Sequence, residues 1–350
     1  MRDETAIIGS EATDFFAESE NNSDKGAQRH VMIDRDKARI RAQKLGKLLL
    51  RIVRGTVIVG ICFIILQPLF AKISISFMNE KDLYDSSVKY IAKHFTLGNY
   101  RLAISGMDYW RVLVRTIILS GSISFIQLMA CLLTAYGFAR FRFPFKKILF
   151  GCVILTLIVP PQVIMLPLFI RYRFYDIFGI FKLTTGGTVN LIDSYWPFFI
   201  QGFTCMGIRN GLYIYMLRQF FKGMPRELEE AAFVDGCGKL RTFIQIMLPS
   251  AVPMMVTVFL FGFVWQWTDS FYTSLYLNNT KVMSSALSSL AVGVYREYEG
   301  FGGSMNFISP GFVSMMNNTG TVLAIIPLIL LYLFCQKSFV EGIERSGIVG

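Results

Sequence analysis

Long uncharged apolar runs recur along this chain, and they constrain its fold more than any other feature. The hydrocarbon core of a bilayer is about 30 Å thick, and a helix rising about 1.5 Å per residue needs roughly 20 mostly apolar residues to cross it. Four runs are clear: Gly55 to Ala71, Thr116 to Ala139, Ile148 to Ile170 and Pro249 to Thr268. Two have softer edges, one from about Ser194 to Leu217 with Arg209 inside it, the other from about Thr319 to Cys335. Only 17% of residues are charged and 53% are apolar, against about 25% charge in soluble domains. The reading is an all-α integral membrane protein with six transmembrane helices.

Lys and Arg set the orientation, because short loops rich in them stay on the cytoplasmic side. Arg35, Lys37, Arg39, Arg41, Lys44, Lys47, Arg51 and Arg54 precede the first run. Arg140, Arg142, Lys146 and Lys147 separate the second from the third, and Arg218, Lys222, Arg226, Lys239 and Arg241 separate the fourth from the fifth. This alternation predicts that both termini are cytoplasmic. It also accounts for the net charge of +11 as topogenic charge, which argues against nucleic-acid binding.

Residues 1–27 are polar and acid-leaning, and the expected organisation follows from composition. Residues 1–50 form a cytoplasmic tail, mostly disordered and then basic; 51–345 form the membrane domain; 346–350 form a C-terminal tail. No short basic segment followed by an apolar core stands at the start, so the first run is expected to stay as an anchor rather than be cleaved. The prolines within runs, Pro68, Pro160, Pro161, Pro167, Pro197 and Pro327, fit kinked helices around an opening pathway and fit plain packing irregularity equally.

Metal chemistry has little to work with. His30 and His94 are far apart, and none of the cysteines Cys62, Cys131, Cys152, Cys205, Cys237 and Cys335 forms a CxxC pair. The sequence also lacks the GxxxxGK[ST] loop that cradles nucleotide phosphates.

The most informative stretch lies between the fourth and fifth runs, at 224–249. Pro225 suits a first helical position, Glu227, Glu229 and Glu230 complement the positive end of a helix dipole, and Gly236 and Gly238 can supply the following turn. A helix of about two turns is expected, with Ala231 and Ala232 leaving one side bare for a partner. Leu240, Phe243, Ile244, Met247 and Leu248 then form an apolar stripe at helical spacing that can lie along the membrane surface. A loop folded only against its own bundle is the alternative.

Glu230, Ala231 and Ala232, then three residues, Gly236, nine residues, and Ile246, Met247, Leu248 and Pro249 resemble the EAA loop of ATP-binding-cassette importer permeases. The stretches at 95–100, 133–147, 159–169, 217–232 and 339–343 extend the resemblance over about 50–350 and are similar to the maltose-type, binding-protein-dependent carbohydrate importers. The resemblance implies a type I importer permease in a bacterial cytoplasmic membrane. It implies a second homologous permease, two ATPase subunits holding ATP and Mg, an extracytoplasmic solute-binding protein, and a carbohydrate cargo, an oligosaccharide by the family's habit. Coupling to the ATPase falls on Glu230, Ala231, Ala232 and Gly236, and the chain itself is a non-enzymatic subunit that binds no cofactor. Arg115–Thr116 and Trp267–Thr268 depart from the family's usual pairs, so the sugar is not transferred.

For the substrate path, a charge inside an apolar run costs several kcal/mol unless it is paired or faces water. Arg209 is therefore a candidate for contact with an anionic saccharide, or for pairing with Asp193, Asp269 or a second subunit. Gln266, Trp267 and Asp269, near Trp265, Phe271 and Tyr272, suit stacking and hydrogen bonding to sugar rings, and suit an interfacial aromatic belt as well. An ion-gradient-driven secondary transporter is the alternative function. It would need intramembrane carboxylates, of which Asp193 and Asp269 lie only near run edges.

Overall fold

The computed structural model describes residue 44 and residues 46–177, 179–299 and 308–347. Almost all of the expected N-terminal tail and most of the expected C-terminal tail lie outside these. The chain divides into two units, one ending at Phe70 and one running from Ala71. Residues 46–70 of the first unit belong to α1, Gly46–Ser76.

Among the described residues the regular elements are helices, joined by turns and irregular segments, with one isolated antiparallel bridge between Tyr175 and Val189. Short helices α2 (Glu80–Leu83) and α3 (Gly98–Met107) lead to α4 (Tyr109–Arg140). At 32 residues α4 is about 48 Å long. Several of its hydroxyls turn back on their own helix, Thr116 Oγ1 to the Val112 carbonyl at 2.7 Å and Ser124 Oγ to the Ser120 carbonyl at 2.6 Å, whereas the buried Ser120 hydroxyl has no partner.

The third run is not one straight helix. α5 (Lys146–Ile158) and α6 (Pro161–Arg173) meet at 101°. Pro160 and Pro161 supply no N–H to continue the ladder, and a following proline holds Val159 in extended backbone at φ −70°, ψ 118°. Pro167 and Pro327, by contrast, sit inside continuous helices. After α7 (Ile180–Thr185), the fourth run is also broken: α8 (Trp196–Phe203) stops and α9 (Asn210–Gly223) starts anew. Cys205 and Arg209 in the break are both left-handed, at φ 58° and 60°. Arg209 is thus not in the middle of a helix, as its place in the run had suggested, but at the N-cap of α9.

α10 (Glu227–Val234) and α11 (Lys239–Thr242) form the loop, a π-turn at Phe243–Met247 and α12 (Leu248–Ser250) follow, and α13 (Val252–Thr268) leaves at 75° to that segment. α14 (Phe271–Tyr276), α15 (Met283–Glu299) and α16 (Pro310–Gly347) complete the chain. Among the described residues three helices, α1, α4 and α16, are long and apolar enough to cross a membrane, and the number rises to five if each bent pair counts as one span.

α4 is the central element and packs on α8, α9 and α13, while α16 packs on α13, α15 and α3. One buried cluster joins α4 and α9 to the π-turn through Leu132, Tyr136, Tyr213, Leu217, Phe221, Phe243 and Met247. Small residues permit the closest approaches. A Cβ on Gly342 of α16 would stand 2.6 Å from the Pro253 carbonyl oxygen of α13, and one on Gly211 of α9 would stand 2.4 Å from Thr156 Oγ1 of α5.

Candidate functional site

The loop at 224–249 is built from its caps inward. Met224 is extended after α9, and α10 carries Glu227, Glu229 and Glu230 in its first turn, where the helix dipole favours negative charge. Its far end is a Schellman motif: the Gly236 N–H donates to the Phe233 carbonyl at 3.1 Å and the Cys237 N–H to the Ala232 carbonyl at 2.9 Å. That geometry puts Gly236 at φ +80°, with open space where a Cβ would be. The glycine is there for its backbone and not for room. Gly238, at φ −74°, is an ordinary extended N-cap of α11.

The structure separates the residues that the motif groups together. Glu230 and Ala231 are exposed, whereas Ala232 is 3% exposed and faces the protein's own bundle. The bare side is therefore Ala231 without Ala232, flanked by Val234 at 87% exposure. The apolar stripe after Gly238 divides in the same way. Phe243 and Met247 enter the core, and Leu240 and Ile244 stay exposed.

A network that sequence reasoning missed lies beneath α10. Glu229 is buried, and its Oε1 accepts from the Tyr136 hydroxyl at 3.0 Å and lies 3.4 Å from Arg140 Nε. Arg140 also donates from a terminal nitrogen to the Met224 carbonyl at 2.8 Å. One carboxylate thus ties the loop helix to the end of α4. The signal available was the 3.6-residue period, which places Glu229 and Ala232 on one face.

The second set of candidates gathers around the broken helices. A cleft of about 350 Å³ is lined by the α5–α6 bend on one side, the 205–211 break on the other, and Tyr272. The Arg209 guanidinium stacks on Trp265, 4.6 Å from the ring centre, a cation–π contact. Gln266 and Trp267 are both buried, and Gln266 Nε2 and Trp267 Nε1 have no hydrogen-bond partner. Trp267 stacks on Phe263 at 5.6 Å.

Neither carboxylate considered for Arg209 is engaged with it. Asp269 caps α14, accepting from the Thr273 N–H at 2.8 Å and the Tyr272 N–H at 3.3 Å. Asp193 accepts from the Asn278 and Asn279 N–H groups at 3.1 and 2.9 Å and from the Asn279 side chain, and these bonds hold its carboxyl below the ordinary carboxylate value. Among the described residues no group of three or more His, Cys, Asp or Glu side chains gathers as a metal site.

Residues 127–345 match the family model described as binding-protein-dependent transport system inner membrane component. The chain is 26% identical over 259 residues to the arabinooligosaccharides transport system permease protein AraQ of Bacillus subtilis (strain 168), covering 74% of this chain and 80% of that one. It is 23% identical over 295 residues to the sn-glycerol-3-phosphate transport system permease protein UgpE of Escherichia coli O1:K1 / APEC, covering 83% and 94%. The backbone is similar to a chain in the crystal structure of a bacterial ABC transporter involved in the import of the acidic polysaccharide alginate. The TM-score is 0.61 and the identity 20%, over 83% of this chain and 96% of that one.

Proposed function

The chain belongs to the family of binding-protein-dependent transport system inner membrane components, and from that premise we propose how its parts divide the work of sugar import. It is a multi-pass membrane permease subunit of a carbohydrate ABC importer, and ATP hydrolysis belongs to a separate subunit. The finer reading has six spans with both termini cytoplasmic in a bacterial cytoplasmic membrane, the permease body at 51–345. A homologous permease completes the pathway, two ATPase subunits with their ATP and Mg sit below, and a solute-binding protein delivers an oligosaccharide.

The observation that carries this reading is the pattern from Glu230 to Pro249 on a capped helix whose Glu230 and Ala231 face outward. Glu230 and Ala231 meet the ATPase, Ala232 lets α10 sit close on its own bundle, and Gly236 turns the chain back toward the membrane. Movement of α10 passes to α4 through Glu229 and Tyr136, and to α13 through the π-turn and the 75° elbow. Arg209, Gln266, Trp267 and Asp269 border the substrate path, with Asp269 serving it by holding α14 in place.

The test is a bulky side chain on the outward face. Ala231→Trp leaves the buried face of α10 untouched and is expected to abolish co-purification of the ATPase subunits and ATP-driven uptake. Retention of both would remove the coupling role from this helix.

A further inference from the structure

We propose that the cleft between the α5–α6 bend and the α8–α9 break receives a carboxylate-bearing sugar, with Arg209 holding the carboxylate; this deepens the carbohydrate-permease reading and rests on it. Arg209 is the one charged side chain among the residues lining the cleft. Its guanidinium has Trp265 against one face, which leaves the planar N–H edge for a ligand. Among the described residues no carboxylate lies within ion-pair distance of it, and Asp193 and Asp269 are held by other donors. A positive charge at membrane depth calls for a counter-charge, and here the opening in front of it is a cleft.

A second observation points the same way. Asn210, the first residue of the 14-residue α9, is 2% exposed, lines the cleft, and has neither amide atom paired. The N-terminus of α9 adds its own positive end at that point, the arrangement by which broken membrane helices meet anionic groups. On the facing wall, Pro160 and Pro161 supply no N–H for the Thr156 and Leu157 carbonyls. Those two oxygens suit the donors that sugar hydroxyls provide. The cleft therefore presents a cation on one side, with the unpaired Asn210 amide buried beside it, and on the other side carbonyls that the prolines leave without a helical donor, which matches a ring bearing both a carboxylate and hydroxyls.

Charge number selects carboxylate over phosphate. A single guanidinium balances one negative charge in a bidentate pair, whereas a phosphate monoester carries about −1.5 to −2 at neutral pH. A volume of about 350 Å³ is at the lower end of small-molecule sites, so the cleft takes a single sugar unit of a chain at a time.

The experiment uses the complete transporter in liposomes with its partner permease, ATPase and solute-binding protein. The probes are di- and trigalacturonate and their carboxyl-reduced, neutral counterparts, and the readout is the ratio of acidic to neutral uptake. Arg209→Gln is expected to lower that ratio at least tenfold, and Arg209→Lys, which keeps the charge without the fork, several-fold; the Lys variant carries the test should the Gln variant not assemble. An unchanged ratio overturns the proposal. So does equal loss of both sugars in an assembled complex, which would assign Arg209 to an ion pair with another subunit. Entry of the neutral sugars alone in the unaltered protein overturns this inference and spares the carbohydrate reading. Absence of ATP-driven entry for these probes while neutral oligosaccharides of other sugars enter overturns this inference alone, and absence for every oligosaccharide overturns both.

Discussion

The Tyr136 hydroxyl donates to Glu229 Oε1 across 3.0 Å, joining the far end of α4 to the short helix that carries the family motif. The side chains of Arg140 and Glu229 are 6% and 12% exposed, so this contact works in a less screened setting than a surface ion pair. Hydrogen bonds to a charged group contribute about 1.5–3 kcal/mol, and a buried pair stripped of one partner loses about 3–5 kcal/mol. Tyr136→Phe is expected to cost about 1.5–3 kcal/mol and Glu229→Gln about 3 kcal/mol. Their combination should cost less than the sum, because both remove the same bond. A double-mutant cycle on thermal unfolding of the assembled complex checks this, and strict additivity would contradict the shared network.

Gly236 tests backbone conformation rather than space. A side chain there meets nothing within 4 Å but must adopt φ +80°, which costs an L-residue about 1–2 kcal/mol. Coupled uptake should fall in the order Gly, Asn, Ala, Val, since Asn tolerates the left-handed region best among side-chain residues. Equal uptake by the Gly and Val proteins would contradict the strained turn.

Gly211 tests the opposite case. Its Cβ would lie 2.4 Å from Thr156 Oγ1 and 2.9 Å from the Val153 carbonyl oxygen, and the second neighbour is backbone with little freedom to move. Gly211→Ala is expected to destabilise the complex by about 1–3 kcal/mol through overpacking. Gly121→Ala in α4, with nothing within 4 Å, should be neutral or slightly stabilising. Melting temperatures of the two variants side by side distinguish crowding from a general intolerance of alanine.

Acid sensitivity is expected in the segment between α1 and α3. Asp82 is buried and accepts from the His94 ring at 2.6 Å and the His94 N–H at 2.9 Å. These hydrogen bonds hold its carboxyl below the ordinary value. A carboxylate with a depressed folded-state value contributes stability that is complete above its unfolded value, about 3.9, and that disappears as pH falls through the folded one. The unaltered protein should lose stability below about pH 4 more steeply than Asp82→Asn, and unfolding curves of both proteins across that window check the difference.

Much of this architecture was legible in the residues. The apolar runs at 55–71, 116–139 and 319–335 lie within α1, α4 and α16, because length and apolarity are what a bilayer demands of a span. The loop helix was legible for a different reason: Pro225, the glutamates and Gly236 are local signals that act within one or two turns. The break at 204–209 was not. Hydropathy reports an uncharged stretch, and a chain can interrupt its ladder inside such a stretch when neighbouring helices or a cleft accept the freed groups. The same limit hid the size of the bend at Pro160–Pro161, where proline announces a kink without its angle.

Residue types and their order were enough to make this a helical membrane chain with a capped loop helix, since burial in lipid and the left-handed turn at Gly236 depend on composition and local backbone alone. Packing settled which of two adjacent glutamates turns inward, Glu229 toward Tyr136 and Glu230 toward solvent, and that Arg209 stands at a helix start against Trp265. Helical periodicity ranks faces only relative to one another. Which face is covered depends on neighbours far away in the chain, and those are brought together only when the bundle closes.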